Sequence, residues 1–230
     1  MNDAIVETED WVTLIGGGEV QTEDLSLALQ LAPVLVAADS GADWALAQGI
    51  SPIAVIGDFD SLSETTRAGL PAARLHQIAE QDSTDFDKAL RNIAAPVVLA
   101  VGFLGARVDH QLAAFHVLAR HSDRACLLLG PREVIFAAPP GVPLQFDLSA
   151  GDVVSLFPMT AVSGRSTGLR WPIDGLDFAP MTRIGTSNAA EGPVTLTFDG
   201  PGMLVILPRR ALHGALTALA SRPAGDPDGS

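Results

Sequence analysis

The chain has 230 residues, of which 47% are hydrophobic, and its 27 Asp and Glu against 14 Lys and Arg give a formal net charge of −13. This acidity argues against binding along the phosphate backbone of DNA or RNA, so nucleic acid is not an expected partner. The acidic N-terminus lacks the basic start and apolar core of a signal peptide, and no apolar run approaches about 18 residues, so we expect a cytoplasmic protein without a membrane partner.

Residues 1–130 alternate short apolar runs with segments of helical periodicity. The predicted strands are Val12–Ile15, Val34–Ala38, Ile53–Ile56, Arg74–Ile78, Val97–Val101 and Ala125–Leu129, and the predicted helices are Thr22–Leu31, Ala42–Gln48, Asp85–Ile93 and Asp109–His121. Such alternation is typical of a parallel sheet with crossover helices. We therefore predict an N-terminal α/β domain over residues 1–130.

After Gly130, frequent prolines divide the chain into short strand-like runs with little helical periodicity between them. The predicted strands are Val134–Ala137, Leu144–Leu148, Val153–Pro158, Val194–Phe198 and Met203–Leu207. This pattern predicts a second, all-β domain over residues 131–213, built as a sandwich rather than an open sheet. Residues 214–230 are predicted to form a disordered tail, because the final segment is rich in Pro, Gly and Asp.

Acidic residues follow two of the predicted strands of the first domain. Asp39 comes directly after Val34–Ala38, and Asp58 and Asp60 follow Ile53–Ile56 with Phe59 between them. Ligands bind at the carboxyl edge of such sheets, and extended backbone would place Asp58 and Asp60 on one side with Phe59 facing the protein. Adjacent carboxylates repel unless a cation lies between them, and Mg²⁺ suits carboxylate and phosphate oxygens. The alternative is that Asp39 and either Asp60 or Ser61 are helix caps.

The helix predicted to begin at Asp85 carries acidic residues in its first turn, where the helix dipole favours them and Thr84 can cap the helix. This accounts for Asp82 and Asp87 without a functional role. Asp85 and Lys88 lie three residues apart, on a face other than the apolar one. Lys88 is therefore either a phosphate partner or part of a surface ion pair with Asp85.

A glycine-containing turn follows the strand Val97–Val101. Gly102 and Gly105 allow close approach of a ligand to the backbone, and Arg107 could bind phosphate there, while His110 opens the next helix. Neither the P-loop lysine pattern nor the dinucleotide Gly-x-Gly-x-x-Gly pattern occurs, which argues against the usual nucleotide-binding folds.

Taken in order, four of these elements resemble the thiamine pyrophosphokinase family. They read Ala-Asp39-Ser-Gly, Gly-Asp58-Phe-Asp60-Ser, Gln81-Asp-x-Thr-Asp85-x-x-Lys88 and Gly102-x-x-Gly-x-Arg107-x-Asp109-His110. Ser166-Thr-Gly-Leu-Arg-Trp-Pro172 and Thr186-Ser-Asn188 in the second domain are similar to later elements of that family, so the resemblance covers most of the chain.

The resemblance implies transfer of a diphosphate from ATP to the hydroxyl of thiamine, with release of AMP. It implies an ATP-binding catalytic domain at 1–130, a thiamine-binding β-sandwich at 131–213, and a homodimer with its active site near the interface. It assigns Mg²⁺ to Asp39, Asp58, Asp60 and Asp85, of which Asp58, Asp60 and Asp85 are also the expected catalytic residues. It also assigns a set of residues to the binding of ATP and thiamine: Asp39, Ser40, Gly41, Gln81, Thr84, Lys88, Arg107, Asp109, His110, Ser187 and Asn188.

One feature departs from the family pattern. Members commonly carry a Trp shortly after the Ser-Asn pair, where it can stack on thiamine, but here Ala189 and Ala190 follow Asn188. Trp171 could substitute for it or could be a buried core residue.

Two other functions stay open at this stage. The missing aromatic residue is compatible with a sensor of thiamine or nucleotide that has lost turnover. Asp58-Phe59-Asp60 also resembles the nucleophile loop of haloacid dehalogenase-type phosphatases, although that loop normally ends the first strand of its domain and two predicted strands precede it here.

Overall fold

A computed structural model of the chain describes residues 4–105 and 107–221. The strands are β1 (Val6–Glu7), β2 (Val12–Ile15), β3 (Val34–Ala38), β4 (Ala54–Gly57), β5 (Leu75–Gln77), β6 (Ile93–Ala94), β7 (Val98–Val101), β8 (Cys126–Leu129), β9 (Glu133–Ala137), β10 (Leu144–Phe146), β11 (Val153–Pro158), β12 (Val162–Leu169), β13 (Asp177–Phe178), β14 (Gly185–Phe198) and β15 (Met203–Pro208). The helices are α1 (Thr22–Leu31), α2 (Gly41–Ala47), α3 (Glu64–Gly69), α4 (Asp85–Arg91), α5 (Val108–Arg120) and α6 (Leu212–Ala220), with 3₁₀ turns at Ala72–Arg74 and Arg209–Ala211.

The chain divides into two compact units. The first runs to Val117 and adds Leu127–Gly130, and the second takes in Leu118–Cys126 and the chain from Pro131 onward. Within the described residues, no helix is both long enough and apolar enough to cross a membrane.

The first unit is built on a sheet whose strands run in the order β8-β7-β2-β3-β4-β5. The pairs β7/β2, β2/β3, β3/β4 and β4/β5 are parallel. Every residue of β2, β4 and β7 is buried, as expected for strands covered on both faces, which explains their uniformly apolar sequences. The predicted α/β class of this part of the chain is confirmed.

The strand order of the first unit reverses between β2 and β7. From β2 the chain proceeds outward through β3, β4 and β5, and it then returns to the other side of β2 as β7. At such a switch point the loops after neighbouring strands diverge and leave a crevice at their carboxyl ends. Helix α4 packs against β3 and β4 through the buried Phe86 and Leu90, which places its first turn near this edge.

The second unit is dominated by antiparallel strands. Its strands follow the order β13-β12-β14-β11-β15-β9, and β10 pairs with β14 off this path. The 14-residue β14 pairs with β11 through its first part and with both β10 and β12 through its last part. One strand therefore takes part in two sets of pairings.

Several elements of the second unit escaped prediction because their sequences are polar. Strand β12 reads Val-Ser-Gly-Arg-Ser-Thr-Gly-Leu, and the first half of β14 is similarly rich in small and polar residues. Half-buried strands with one open face need few apolar residues, so hydrophobicity alone does not reveal them.

The prediction of disorder from residue 214 onward is wrong for residues 214–220. Helix α6 spans Leu212–Ala220 and buries Leu212, Ala215, Leu216 and Leu219 at the spacing of one helical face. The same spacing is visible in the sequence, where these residues directly precede the Pro- and Gly-rich segment. Residues 222–230 lie outside the described residues.

Candidate active site

A cavity of about 480 Å³ lies in the first unit, at the carboxyl ends of β2, β3, β4 and β7. It is lined by Gly16, Gly17, Gly18, Ala38, Asp39, Ser40, Asp58, Ser61, Ser83, Thr84, Asp85, Phe86, Lys88, Gly102, Phe103, Leu104, Gly105, Arg107, His110, Gln111, Ala113 and Ala114. Three of the four predicted metal-site aspartates line it directly. A pocket of this size at a sheet switch point is a typical ligand-binding cleft.

Asp39 follows β3 and is almost entirely buried, with 2% of its surface exposed. Its backbone has a φ of 44°, in the left-handed region where a non-glycine residue is strained. Its Oδ2 accepts a hydrogen bond of 3.2 Å from the Ser61 backbone N–H, while its buried Oδ1 has no hydrogen-bond partner among the described residues. Burial, reinforced by the charges of neighbouring aspartates, raises the pKa of Asp39 to about 6.

Asp58 and Asp60 are held in a tight turn after β4. The Asp58 Oδ1 accepts the Asp60 backbone N–H at 3.2 Å, and Phe59 between them is buried with a φ of 68°. The expectation that Phe59 would face the protein is confirmed, but the backbone is left-handed there rather than extended. The turn forms because the Asp58 side chain bonds to the backbone two residues on, as Asp commonly does.

Asp85 and Lys88 join this cluster from the first turn of α4. The Lys88 Nζ donates to the Asp58 Oδ2 at 2.7 Å and to the Asp85 Oδ1 at 3.3 Å. Only 1% of the Lys88 side chain is exposed, against 33% of the Asp85 side chain, so the alternative of a surface ion pair is wrong. The apolar face of α4 packs on the sheet and carries Lys88 into the interior with it.

The ionisation of these groups follows from their packing. The hydrogen bond from Lys88 lowers the pKa of Asp58 despite the opposing effect of burial, whereas burial is the main cause that raises the pKa of Asp85. Burial would lower the pKa of Lys88, but its bonds to Asp58 and Asp85 outweigh this effect and raise it. Lys88 is therefore a fixed positive charge among carboxylates.

Three of the aspartates have the geometry of a cation site. One carboxylate oxygen from each of Asp39, Asp58 and Asp60 lies within 4.8 Å of the others. The buried, unpartnered Oδ1 of Asp39 is costly unless a cation or donor reaches it. Carboxylate oxygens are what Mg²⁺ prefers, so these residues fit that ion. Asp85 is not part of this close group and instead bonds the Asp58 backbone N–H and Lys88.

Other predicted residues surround the cleft. Gln81 donates to the Asp58 Oδ2 at 3.3 Å, and Thr84 caps α4 by accepting the Asp87 N–H at 3.3 Å. Ser40 precedes α2, whose first residue Gly41 has no room for a side chain, because an added Cβ would lie 2.2 Å from the Ile15 carbonyl oxygen.

Arg107, Asp109 and His110 lie at the exposed rim of the first unit. The Arg107 Nε donates to the Asp109 Oδ1 at 3.1 Å, and both side chains are mostly exposed. Arg107 and His110 line the cavity, whereas Asp109 serves as the partner of Arg107.

The loop Gly16-Gly17-Gly18 was missed by the sequence analysis. An added Cβ would lie 2.6 Å from the Phe103 ring at Gly16, 2.1 Å from the Ser40 Oγ at Gly17 and 2.6 Å from the Gly102 carbonyl oxygen at Gly18. A side chain at Gly16 or Gly18 would thus meet the Gly102 backbone, whereas one at Gly17 would require Ser40 to move. Three consecutive glycines after the first apolar strand were the signal that could have revealed it.

Ser187 and Asn188 belong to the second unit, on β14. Ser187 is exposed with a φ of 64°, and its N–H donates to the Ser155 Oγ at 2.9 Å. The buried Asn188 side chain accepts the Trp171 backbone N–H at 3.2 Å and donates to the Trp171 carbonyl at 2.7 Å. Trp171 is 57% exposed, so the alternative that it is a buried core residue is wrong.

Two family models match separate parts of the chain. The model for "Thiamin pyrophosphokinase, catalytic domain" matches residues 25–128, and the model for "Thiamin pyrophosphokinase, vitamin B1 binding domain" matches residues 142–202. Together these matches take in more than half of the chain. The chain belongs to the thiamine pyrophosphokinase family. The catalytic-domain match contains Asp39, Asp58, Asp60 and Asp85, and the second match contains Trp171, Ser187 and Asn188.

Two relatives carry the name of this family. The chain is 29% identical to rice Thiamine pyrophosphokinase 1 over 61% of this chain and 60% of that protein, so it spans less than two thirds of that relative's length. It is 27% identical to thiamine pyrophosphokinase of Bacillus subtilis over 66% of this chain and 76% of that protein.

Solved structures with the same fold include family members from a bacterium and a yeast. The structure of thiamin pyrophosphokinase from Geobacillus thermodenitrificans superimposes with a TM-score of 0.67 at 23% identity, covering 86% of this chain and 96% of that one. The Candida albicans thiamin pyrophosphokinase superimposes with a TM-score of 0.70 at 13% identity, covering 90% and 95%.

The raised pKa of Asp39 leads to a stability prediction for metal-free protein. The pKa of Asp39 in the folded protein is about 6, above the ordinary value of 3.8. The stability that the protonated side chain contributes is therefore fully present below about pH 4 and is lost as the pH rises through about 6. Asp39→Asn removes the buried charge, and we expect it to stabilise the protein by roughly 2–3 kcal/mol at pH 8 and by about zero at pH 4. Urea unfolding with a chelator measures this, and an equal effect at both pH values would contradict it.

Proposed function

We propose that this chain transfers a diphosphate group from ATP to the hydroxyl of thiamine, giving thiamine diphosphate and AMP. The observation that carries this proposal is the cluster of Asp39, Asp58 and Asp60, which lies at the switch point of the parallel sheet within a part of the chain that matches the family's catalytic domain. In diphosphate transfer, positioning and electrostatic stabilisation supply most of the catalysis, and a carboxylate cluster beside a cleft suits both.

Mg²⁺ is the proposed metal. Asp39, Asp58 and Asp60 would hold it directly, since their carboxylate oxygens lie within 4.8 Å of one another. Asp85, in the first turn of α4, is proposed as a member of the same site. Its Oδ1 accepts hydrogen bonds from the Asp58 backbone N–H and from Lys88. Bound there, the metal would neutralise charge on the phosphate oxygens of ATP. The chain's own contribution is to hold these carboxylates in place before the substrates bind.

The nucleotide is proposed to occupy the cleft of the first unit. The close-packed Gly16–Gly18 loop and the Gly102 turn present backbone on one side, and Ser40, Thr84 and Gln81 are polar groups beside the aspartates. Arg107, kept in place by Asp109, is positioned at the rim to bind phosphate, and His110 lies next to it. The tilted ring pair of Phe86 and Phe103, with centroids 4.4 Å apart, forms an apolar wall.

Thiamine is proposed to contact the second unit through Trp171. Exposed Trp is uncommon, and here its backbone is fixed by both polar groups of the Asn188 amide, with the Arg170 guanidinium 5.6 Å from the ring centroid. This arrangement would replace the aromatic residue missing after Asn188. In this proposal Asn188 acts by orienting Trp171, and Ser187 offers its exposed hydroxyl beside it.

The roles of the two units, the oligomeric state and the location of the protein complete this proposal. The first unit would be the ATP-binding catalytic domain and the second a thiamine-binding β-sandwich, the latter supported by the division of β14 between two sets of partners. A homodimer with the active site near its interface, a cytoplasmic location and the absence of nucleic-acid partners stay predictions from the sequence.

Neither alternative function is favoured. In the structure Asp58 follows β4 rather than the first strand, and its Oδ2 is bonded to Lys88 and Gln81, which leaves it poorly suited as a phosphatase nucleophile. The complete set of aspartates argues for turnover rather than for sensing alone.

The reaction itself is the first test. Purified protein with ATP, Mg²⁺ and thiamine should release AMP and thiamine diphosphate in equal amounts, because a diphosphate is transferred in one step. Chromatographic analysis of both products measures this. Formation of ADP with thiamine monophosphate would refute the proposed transfer, and tight binding of both substrates without AMP would favour a sensor.

Substitution of the aspartates tests the proposed site. Asp58→Asn and Asp60→Asn should each reduce turnover by roughly 10²-fold or more, because each removes a charged ligand of the metal. Asp82→Asn is the matched control, since Asp82 is exposed and belongs to the same acidic sequence region but does not line the cleft. Turnover at the unsubstituted level in either site variant would exclude the assigned role.

Trp171 is tested through the Michaelis constants. Trp171→Ala should raise the KM for thiamine about tenfold and leave the KM for ATP unchanged, because stacking of aromatic rings is worth up to about 1.5 kcal/mol. Trp171→Phe should retain most of the affinity. Met181→Ala, which changes another exposed apolar residue of the second unit, is the control. A thiamine KM that does not respond to Trp171→Ala rules out the stacking role.

A further inference from the structure

Lys88 is the most deeply buried charged side chain of the cleft, with 1% of it exposed. Its ammonium contacts two carboxylates, the Asp58 Oδ2 at 2.7 Å and the Asp85 Oδ1 at 3.3 Å. Two of its three N–H donors are thus taken by carboxylates of the proposed metal site, although Lys88 also lines the cleft. Most of its charge is therefore committed to these carboxylates.

The two oxygens of Asp58 have different partners. Its Oδ2 accepts a hydrogen bond from Lys88 and a second one, of 3.3 Å, from Gln81. Its Oδ1 accepts a hydrogen bond from the Asp60 backbone N–H. Because Lys88 and a bound divalent cation would share Asp58, the two positive charges would lie within a few ångströms of each other. They would compete for the same negative charge.

We infer that Lys88 is an internal counter-cation, a positioning residue that keeps Asp58 and Asp85 ordered before any metal binds and weakens binding of a free divalent cation to the carboxylates. This inference rests on the proposed function, which assigns those carboxylates to a metal. Its consequence is an order of binding. The cation binds tightly only together with the nucleotide. Lys88 neutralises part of the negative charge of Asp58 and Asp85, and the phosphate oxygens of the nucleotide replace that charge.

Removal of Lys88 has two opposing effects on the affinity of the carboxylates for a divalent cation. Removing Lys88 abolishes repulsion between a single and a double positive charge in a partly buried site, where screening by water is weak. It also frees two short Asp side chains, whose ordering entropy is small. The electrostatic contribution is the larger, so loss of Lys88 should strengthen the binding of metal alone.

The test measures binding of Mn²⁺ alone, by the electron paramagnetic resonance signal of the free ion, in the absence of nucleotide and thiamine. Lys88→Met, which keeps the apolar stem and removes the charge, should bind Mn²⁺ at least about tenfold more tightly than the unsubstituted chain. Arg91→Met is the matched control. It removes a positive charge from the same helix, but Arg91 pairs with Glu80 and Asp87 away from the cluster, so Mn²⁺ affinity should change less than about twofold.

Kinetics separate positioning from phosphate binding. Lys88→Met should lower kcat about tenfold or more, since Asp58 and Asp85 lose their common partner, while the KM for ATP stays within about threefold. Equal or weaker Mn²⁺ binding by Lys88→Met overturns the inference, as does a tenfold rise in the KM for ATP at unchanged kcat. If Lys88→Met does not fold, Lys88→Gln removes the same charge and is held to the same criteria.

The Mn²⁺ measurement also keeps the two proposals separate. It uses neither substrate, so its result stands whatever reaction the chain proves to catalyse. Failure to form AMP and thiamine diphosphate would refute the proposed function alone, whereas unaltered Mn²⁺ affinity would refute the role of Lys88 alone.

Discussion

Repulsion among four carboxylates is the constraint on which the first unit depends. Two ionised carboxylates about 4–5 Å apart repel by roughly 3–4 kcal/mol at an effective dielectric constant near 20, which is a large fraction of the stability of a typical domain. The chain offsets this repulsion with one buried lysine and with backbone N–H groups that bond Asp39, Asp58 and Asp85, while burial and the repulsion that remains raise the pKa of Asp39. The buried Oδ1 of Asp39 still has no hydrogen-bond partner among the described residues.

The parallel sheet makes this concentration of charge possible. Asp39 and Asp58 follow the adjacent strands β3 and β4, whose parallel pairing aligns their carboxyl ends, and α4 packs beneath them so that Asp85 and Lys88 enter from the side. The reversal of strand order beside β2 leaves a cleft next to these carboxylates. Glycine at positions 16–18 and at 41 lets the surrounding backbone come close enough to form its walls.

In the second unit, a buried amide holds the backbone of an exposed aromatic residue. The Asn188 side chain accepts a hydrogen bond from the Trp171 N–H and donates one to the Trp171 C=O, much as a neighbouring strand would. Ser187 next to it has a positive φ, a conformation that is strained for a non-glycine residue.

Much of the first unit was predictable from the sequence, because fully buried parallel strands are continuous apolar runs and their ends are marked by Asp39 and Asp58. The ordered motifs were also sufficient to indicate the family, which the comparisons confirmed. The polar strands of the second unit and helix α6 were not predicted, because the less exposed positions inside β12 are Gly and Ser rather than apolar residues and because α6 adjoins a Pro-rich segment.

The sequence by itself determined which residues carry charge and at which strand ends they lie. Only the tertiary structure decided how those charges are paired. From the sequence, Lys88 is either a phosphate partner or part of a surface ion pair, yet packing of α4 turns it inward to Asp58 and Asp85. Asn188 is predicted as a ligand contact, yet its amide bonds to the Trp171 backbone. Local sequence specifies an element and its apolar face, but the partner of a buried polar group is set by which elements pack together, and that information is distributed over the whole chain.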